Sequence, residues 1–266
     1  MNPSHEINKS FLAVWSWATA IFILAPLAFV VAVSLTPRDF ISLPMQGISL
    51  RWYGQMLTRG EFLTAGFNSV LTALQAAATA LMLGIPAALA VVRYRFPLRT
   101  TVRIVATSPL FIPMTMSGLA ILIVASTIRW SNQESRIYVA HCALTLPYVF
   151  RTVSASLSGF DVNQELAARN LGASPLKAFM LVTLPQIRPG ILAGAIFAFI
   201  VSFDNIGISI FLTGSQFTTL PVELFTYASY SNDPMTAAVS VAMIVVSLAS
   251  VAVLERFFGL QKLMRS

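Results

Sequence analysis

The chain is poor in charge. Asp, Glu, Lys and Arg make up 10% of its 266 residues, where a soluble domain carries roughly a quarter. That shortage excludes a water-soluble core. A single cysteine, Cys142, excludes an intrachain disulfide and has no metal-ligating company. There is no G-x-x-x-x-G-K-[ST] loop, so the chain cannot hydrolyse ATP by that route. Nor does it hold a nucleophile with a base and an orienting group, and no catalytic residue is expected. Low-complexity tracts and internal repeats are missing too. Many secondary transporters are built from inverted repeats, so this counts mildly against that class.

What the chain has is apolar length: 56% of its residues are hydrophobic and its mean hydropathy is +0.77. Segments 11–35, 62–92, 104–128 and 234–254 each run 21 residues or more without Asp, Glu, Lys or Arg. About 20 apolar residues cross the ~30 Å hydrocarbon core as a helix. Two further candidates are 137–157, which contains His141 and Arg151, and 189–212, which contains Asp204. The expected fold class is all-α integral membrane, with six transmembrane helices in one domain over 1–266. Backbone in lipid must satisfy itself, and the absence of repeated ten-residue alternation argues against a barrel. Segment 11–35 exceeds the ~7–15 apolar residues of a signal peptide and reads as a retained first span.

The net charge of +7 reads as orientation rather than a nucleic-acid surface. Basic residues mark the cytoplasmic side of short loops. Arg93, Arg95, Arg99 and Arg103 crowd the link between spans two and three. Arg169, Lys177 and Arg188 lie between spans four and five, and Arg256, Lys262 and Arg265 follow span six. Both termini are then cytoplasmic, with Lys9 on the same side. Arg38, Arg51, Arg59, Arg129 and Arg136 stay outside, and the link 213–233 has no Lys or Arg.

Within 36–61 the prolines and glycines rule out one continuous helix. Trp52 and Tyr53 there suit a membrane–water interface. Pro26, Pro86, Pro109, Pro113 and Pro147 fall inside spans and can kink them. Asp204 is the one acid deep in an expected span, with Ser202, Asn205 and Ser209 around it. A charge there must face a protein interior or a wet cavity, which makes a cavity-lining acid for a cation the favoured reading and a structural acid the other. His141 and Tyr148 share a face of span four, where interhelical hydrogen bonds are the ordinary use of polar groups. Arg151 can snorkel to the cytoplasmic end. Ser202, Asp204, Asn205 and Tyr148 are the candidate pathway residues.

Between spans four and five an alanine-rich, charged stretch interrupts the apolar pattern. Asp161 with Gln164 makes a capping box, and Val162 to Leu171 reads as a short amphipathic helix. Gly172 suits its C-cap. Ser174-Pro175 opens a second helix with Leu176, Phe179, Met180 and Thr183 as its apolar face, until Leu184-Pro185 stops it. This predicts a cytoplasmic helix–turn–helix element over 160–185. Ala167 and Ala168 allow another surface to approach closely.

That element resembles the EAA loop of permease subunits in binding-protein-dependent ABC importers, which reads Glu-Ala-Ala, three residues, Gly, nine residues, Ile, one residue, Leu-Pro. Aligned on Gly172, the spacing agrees throughout: Leu166-Ala167-Ala168, Gly172-Ala173, Val182, Leu184-Pro185. Leu166 takes the glutamate position and the acid, Glu165, comes one residue earlier, about 100° around a helix. "SLRWYGQML", "NSVLTAL", "SFDN" and "FLTGSQFTTLPVELFTY" resemble the spermidine/putrescine-type branch of that family.

The resemblance implies a type I ABC importer permease fold in a bacterial inner membrane. It implies a second, distinct permease, two ATPase subunits carrying ATP and Mg, and a periplasmic substrate-binding protein. This chain itself would hold no cofactor or metal. Glu165, Leu166, Ala167, Ala168, Gly172, Ala173, Leu184 and Pro185 would then form the ATPase-coupling element. The branch has a second acid where Asn205 stands, and it imports opines, other amines and small acids besides polyamines. A small, cationic solute is the expected cargo. Two alternatives remain open at this point: an autonomous secondary carrier or channel using Asp204, and a membrane scaffold without transport.

Overall fold

The computed structural model describes residues 7–40 and 47–258, and among these no strand occurs. Helix α1 (Ile7–Ser34) is followed by α2 (Arg51–Thr58) and α3 (Gly60–Arg93). Next come α4 (Arg99–Thr107), α5 (Met114–Thr127) and α6 (Gln133–Ser158). Then α7 (Val162–Asn170), α8 (Pro175–Ala178) and α9 (Leu184–Phe203) carry the chain back, with α10 (Ser209–Leu212), α11 (Leu220–Tyr230) and α12 (Met235–Phe258) to end it. Four stretches are long and apolar enough to cross a membrane: Phe11–Ser34, Gly60–Arg93, Pro175–Phe203 and Met235–Val253. A bent pair makes a fifth if it counts as one span. The sixth expected span coincides with α6, 26 residues long but too polar to join that group. Lys262 and Arg265 lie outside the described residues.

The chain divides into two compact units. The first runs to Leu63 and takes up again over Leu224–Val245. Most of α1 is exposed on every side, as suits a helix whose surroundings are lipid tails. The segment after it turns inward. Trp52 is 3% exposed and donates its indole N–H to the Thr36 carbonyl at 2.9 Å. The Tyr53 and Ser34 hydroxyls meet at 2.7 Å. With its N–H satisfied by a carbonyl, the whole Trp52 ring is buried within the protein. Part of that segment, 41–46, lies outside the described residues. Elsewhere in this unit Tyr227 donates to Asp233 Oδ2 at 2.5 Å, and Asp233 Oδ1 accepts from the Met235 N–H at 3.1 Å, holding the start of α12.

The second unit spans Thr64–Glu223, with the chain from Val246 onward. Its centre is α6 packed along α9. Small residues allow the approach: a Cβ on Gly190 would lie 2.7 Å from the Thr152 carbonyl oxygen, and one on Gly194 would lie 2.6 Å from Thr152 Oγ1. Gly190 and Gly194 form a G-x-x-x-G pair, the spacing that puts two small residues on one helix face. On another side of α6, Ile137, Ala140 and Leu144 bury against Ile208 and Leu212.

Two expected spans differ from their sequence outlines. Segment 104–128 is no straight rod, because α4 and the 3-10 turn Ser108–Phe111 meet α5 at a bend of 108°. Prolines cause it. Pro109 lies in the turn, and Ile112, before Pro113, is extended at φ −100°, ψ 128°, where a residue preceding proline is pushed. Pro26, Pro86 and Pro147, by contrast, sit inside continuous helices.

Segment 189–212 starts earlier and ends sooner than expected. Leu184-Pro185 does not stop a helix; it begins α9, which continues from α8 through a π-helical turn at Phe179–Thr183. The Leu184 N–H reaches back five residues to the Phe179 carbonyl. That wider turn takes in a proline whose ring would clash with the carbonyl four residues before it in a regular α-helix. At the far end α9 stops at Phe203, so Asp204 is its C-cap rather than a residue deep inside a span.

Candidate functional site

The element over 160–185 forms as its capping residues dictate. Asp161 accepts from the Asn163 N–H at 3.0 Å and starts α7. Gly172, at φ +90°, takes the left-handed position that ends it. Ser174 accepts from the Lys177 N–H at 3.3 Å, and Pro175 fills the first turn of α8. The capping box is only half made. Gln164 does not close it, because its Oε1 accepts from Gln186 Nε2 across the turn.

The buried side of the second helix meets the expectation at Thr183 but not along its whole length. Leu176 and Met180 are exposed and Phe179 is half-buried, while Ala178, Thr183 and Ile187 are buried. The last three positions step by five and then four, because the π turn replaces one α-helical step with a longer one. An α-helical period read through this stretch places part of the face wrongly.

Glu165 turns toward its own chain. Its Oε2 accepts from Arg93 Nη1 at 2.5 Å and from Thr183 Oγ1 at 2.5 Å. Arg93 Nη2 also donates to Thr183 Oγ1 at 3.2 Å, and its guanidinium lies over the Phe160 ring at 5.3 Å. The side chains of Arg93 and Glu165 are 17% and 14% exposed. Burial by itself would raise the Glu165 carboxyl. The Thr183 hydroxyl, the Arg93 guanidinium and the more distant Arg169 outweigh it and hold the group below the usual carboxylate range.

One residue on, Leu166 faces away from this cluster. It is 46% exposed, Leu171 is 90% and Leu176 is 72%. Ala167 is exposed as well, and Ala168 and Ala173 are half-buried. Leu184 and Pro185 are half-buried at the root of α9. The element therefore has an anchored acidic side and an uncovered leucine side.

The candidate pathway residues fall into two groups. His141 is buried and its ring joins two hydroxyls, Ser202 Oγ at 2.7 Å and Ser209 Oγ at 2.9 Å. Ser202 is thus committed to helix pairing. Asn205 is buried too, its Oδ1 accepting from the Ile208 N–H at 2.9 Å and its Nδ2 donating to Met114 Sδ at 3.4 Å. It ties the break after α9 to the start of α5. Tyr148 is half-buried beside Phe197, ring centroids 6.5 Å apart. Asp204 is exposed, and its carboxylate has no hydrogen bond or ion pair among the described residues. No group of His, Cys, Asp and Glu able to hold a metal ion occurs among them either.

Sequence reading missed Arg93 and Thr183 as partners of Glu165. Arg93 was read only as a topology marker and Thr183 as part of an apolar face, and 72 residues separate Arg93 from Glu165. It also missed Gly190 and Gly194, although their spacing was a usable signal.

Comparison with known proteins gives this geometry its setting. Residues 80–260 match the family described as binding-protein-dependent transport system inner membrane component. The putrescine transport system permease protein PotI of Escherichia coli K12 is 34% identical over 220 residues, 80% of this chain and 78% of that one. The spermidine/putrescine transport system permease protein PotC of Haemophilus influenzae is 32% identical over 236 residues, 86% of this chain and 89% of its own. Among solved structures, a bacterial ABC transporter importing the acidic polysaccharide alginate superposes with TM-score 0.69 at 19% identity, covering 98% of both chains. The MetNI methionine ABC transporter gives TM-score 0.62 at 17% identity, over 82% of this chain and 98% of that one. The fold is thus that of ABC importer permeases, and the chain belongs to the family of binding-protein-dependent transport system inner membrane components, as a transmembrane permease subunit.

Proposed function

We propose that the chain is one half of the translocation pathway of an ATP-driven importer for a small organic cation of the polyamine class. The whole of 1–266 acts as a single permease domain with both termini in the cytoplasm of a bacterial cell. Six spans cross the inner membrane, with α6 and the bent α4–α5 pair completing the set. A related but distinct permease supplies the other half. Two ATPase subunits bind ATP and Mg, and a periplasmic binding protein delivers the cargo.

The observation that carries this reading is the uncovered leucine side of α7 and α8. Leu166, Leu171 and Leu176 stand exposed on an element whose Glu165, Arg169 and Lys177 favour a position outside the lipid. Exposed leucines beside small Ala167 suit a groove on another protein, and the ATPase is the partner whose motion an importer must receive. Nucleotide-driven closure of the ATPase pair would displace α7 and switch the cavity from outward to inward opening.

Asp204 supports the cationic cargo. A carboxylate at the very end of a spanning helix, with no side-chain partner, is served by water or a cationic ligand, and relatives at 34% and 32% identity are named for putrescine and spermidine/putrescine transport.

The test is to tag the chain, extract it in mild detergent and identify what co-purifies. Recovery of an ATPase and a second permease supports the importer. Recovery of the chain alone, taking up putrescine in liposomes along an ion gradient, overturns it in favour of the autonomous carrier.

A further inference from the structure

We infer that Arg93, Glu165 and Thr183 form a coupling clamp, which makes α7, the cytoplasmic end of α3 and the root of α9 move as one body. The inference rests on the proposed coupling role of α7 and adds how displacement leaves that helix.

The geometry is closed on three sides. One carboxylate oxygen, Glu165 Oε2, takes both Arg93 Nη1 and Thr183 Oγ1 at 2.5 Å, and Arg93 Nη2 closes the triangle to Thr183 at 3.2 Å. Each corner belongs to a different element. Arg93 is the last residue of α3, Glu165 lies on α7, and Thr183 ends the π turn before α9. The Arg93 guanidinium is pinned from another side by the Phe160 ring, so it has little freedom to follow solvent instead. Charge-assisted hydrogen bonds that share one atom are short and directional, and this one is largely shielded from water.

Position gives the clamp its consequence. α7 alone is nine residues long, with no buried residue to grip the body of the protein. Its neighbours in the clamp are long rods. α3 has 34 residues and α9 has 20, or about 50 Å and 30 Å at 1.5 Å per residue. At the far end of α9 stands Asp204. A push on α7 therefore reaches the candidate cargo acid through Thr183 and α9, and reaches the other rod through Arg93. The three are positioning residues: none touches cargo.

A structural anchor and a coupling clamp differ in what their loss does. The complex that co-purifies with the tagged chain is reconstituted in liposomes with its binding protein, and putrescine uptake and ATP hydrolysis are read in the same vesicles. Glu165→Gln and the near-isosteric Thr183→Val should keep the ATPase bound and hydrolysing. Putrescine moved per ATP should fall about five- to tenfold, the lower end of ordinary coupling between sites. The exchange of Arg93→Glu with Glu165→Arg should bring the ratio back toward that of the unmodified chain. An unchanged ratio in both single variants overturns the clamp. So does loss of ATPase binding in Glu165→Gln but not in Arg93→Gln, because Glu165 would then serve the ATPase directly. An unmodified chain that carries no ATPase overturns the coupling reading beneath it, and the two failures are told apart at the purification step.

Discussion

His141 holds Ser202 across the α6–α9 interface, its Nδ1 2.7 Å from the serine oxygen. With Ser209 on the other ring nitrogen at 2.9 Å, the imidazole fastens both sides of the break that begins at Asp204. His141→Leu would leave two buried hydroxyls unpaired, at about 1–3 kcal/mol each. The expected outcome is a lower unfolding temperature in detergent, with uptake per folded molecule preserved. A selective loss of uptake at unchanged stability would instead make His141 a cargo ligand.

Asp204 and Asn205 should separate cleanly although they are adjacent. Asp204→Asn removes charge from an exposed, unpaired side chain and should lower uptake of cationic cargo while sparing neutral solutes and stability. Asn205→Ala removes a bond to the Ile208 N–H and should lower stability by about 1 kcal/mol or more, with all cargoes affected alike. A substrate panel beside a melting curve reads both. Uniform loss in Asp204→Asn would mark it as a structural acid.

Gly172 is expected to matter through backbone conformation alone. A Cβ there would meet nothing within 4 Å, but φ +90° is a region that costs an L-residue about 1–2 kcal/mol. Gly172→Leu should reset the turn between α7 and α8 and weaken ATPase retention during purification. Gly172→Asn, which tolerates the left-handed region, should retain it.

Gly190 presents the opposite case. Its Cβ would sit 2.7 Å from the Thr152 carbonyl oxygen, and overpacking of that kind costs typically about 1–3 kcal/mol. Gly190→Leu should reduce the yield of folded, inserted protein, measured by gel filtration in detergent, whereas Ile191→Leu on the same turn should not.

Acid should release α7. The Glu165 carboxyl lies below its usual range in the folded chain, so it binds protons more weakly there than when unfolded. Its contribution is therefore complete above the unfolded value of about 4.3 and is lost as pH falls through the lower folded value. The protection of α7 amides, taken relative to their intrinsic exchange rate at each pH, should stay constant from about pH 8 to pH 5 and fall only at stronger acid. In Glu165→Gln that protection should be low at every pH.

Much of the molecule was legible because lipid imposes simple rules. Uncharged length located α1, α3 and α12, and capping chemistry at Asp161, Gly172 and Ser174 located α7 and the start of α8. Illegible features were those in which a local rule yields to packing. Pro109 and Pro113 look like Pro86 and Pro147 in sequence, but only the first two, four residues apart, break their span. Nothing in the sequence around Trp52 showed that its N–H would be taken by the Thr36 carbonyl. Ser202 and Asn205 looked like company for Asp204, but one pairs with His141 and the other folds the turn. The Arg93–Glu165 pair joins residues whose separation no periodicity spans.

The π turn at Phe179–Thr183 also sets the rotational phase of everything after it. A regular α-helix advances about 100° per residue, and a π turn holds one residue more than the α ladder requires. Deleting Leu181 to restore an unbroken ladder would swing α9 by roughly that angle relative to α8. Gly190 and Gly194 would leave the face of α6, Ser202 would turn from His141, and Thr183 would move out of reach of Glu165. Three contacts far apart along the helix thus share one dependence: the single surplus residue at its root.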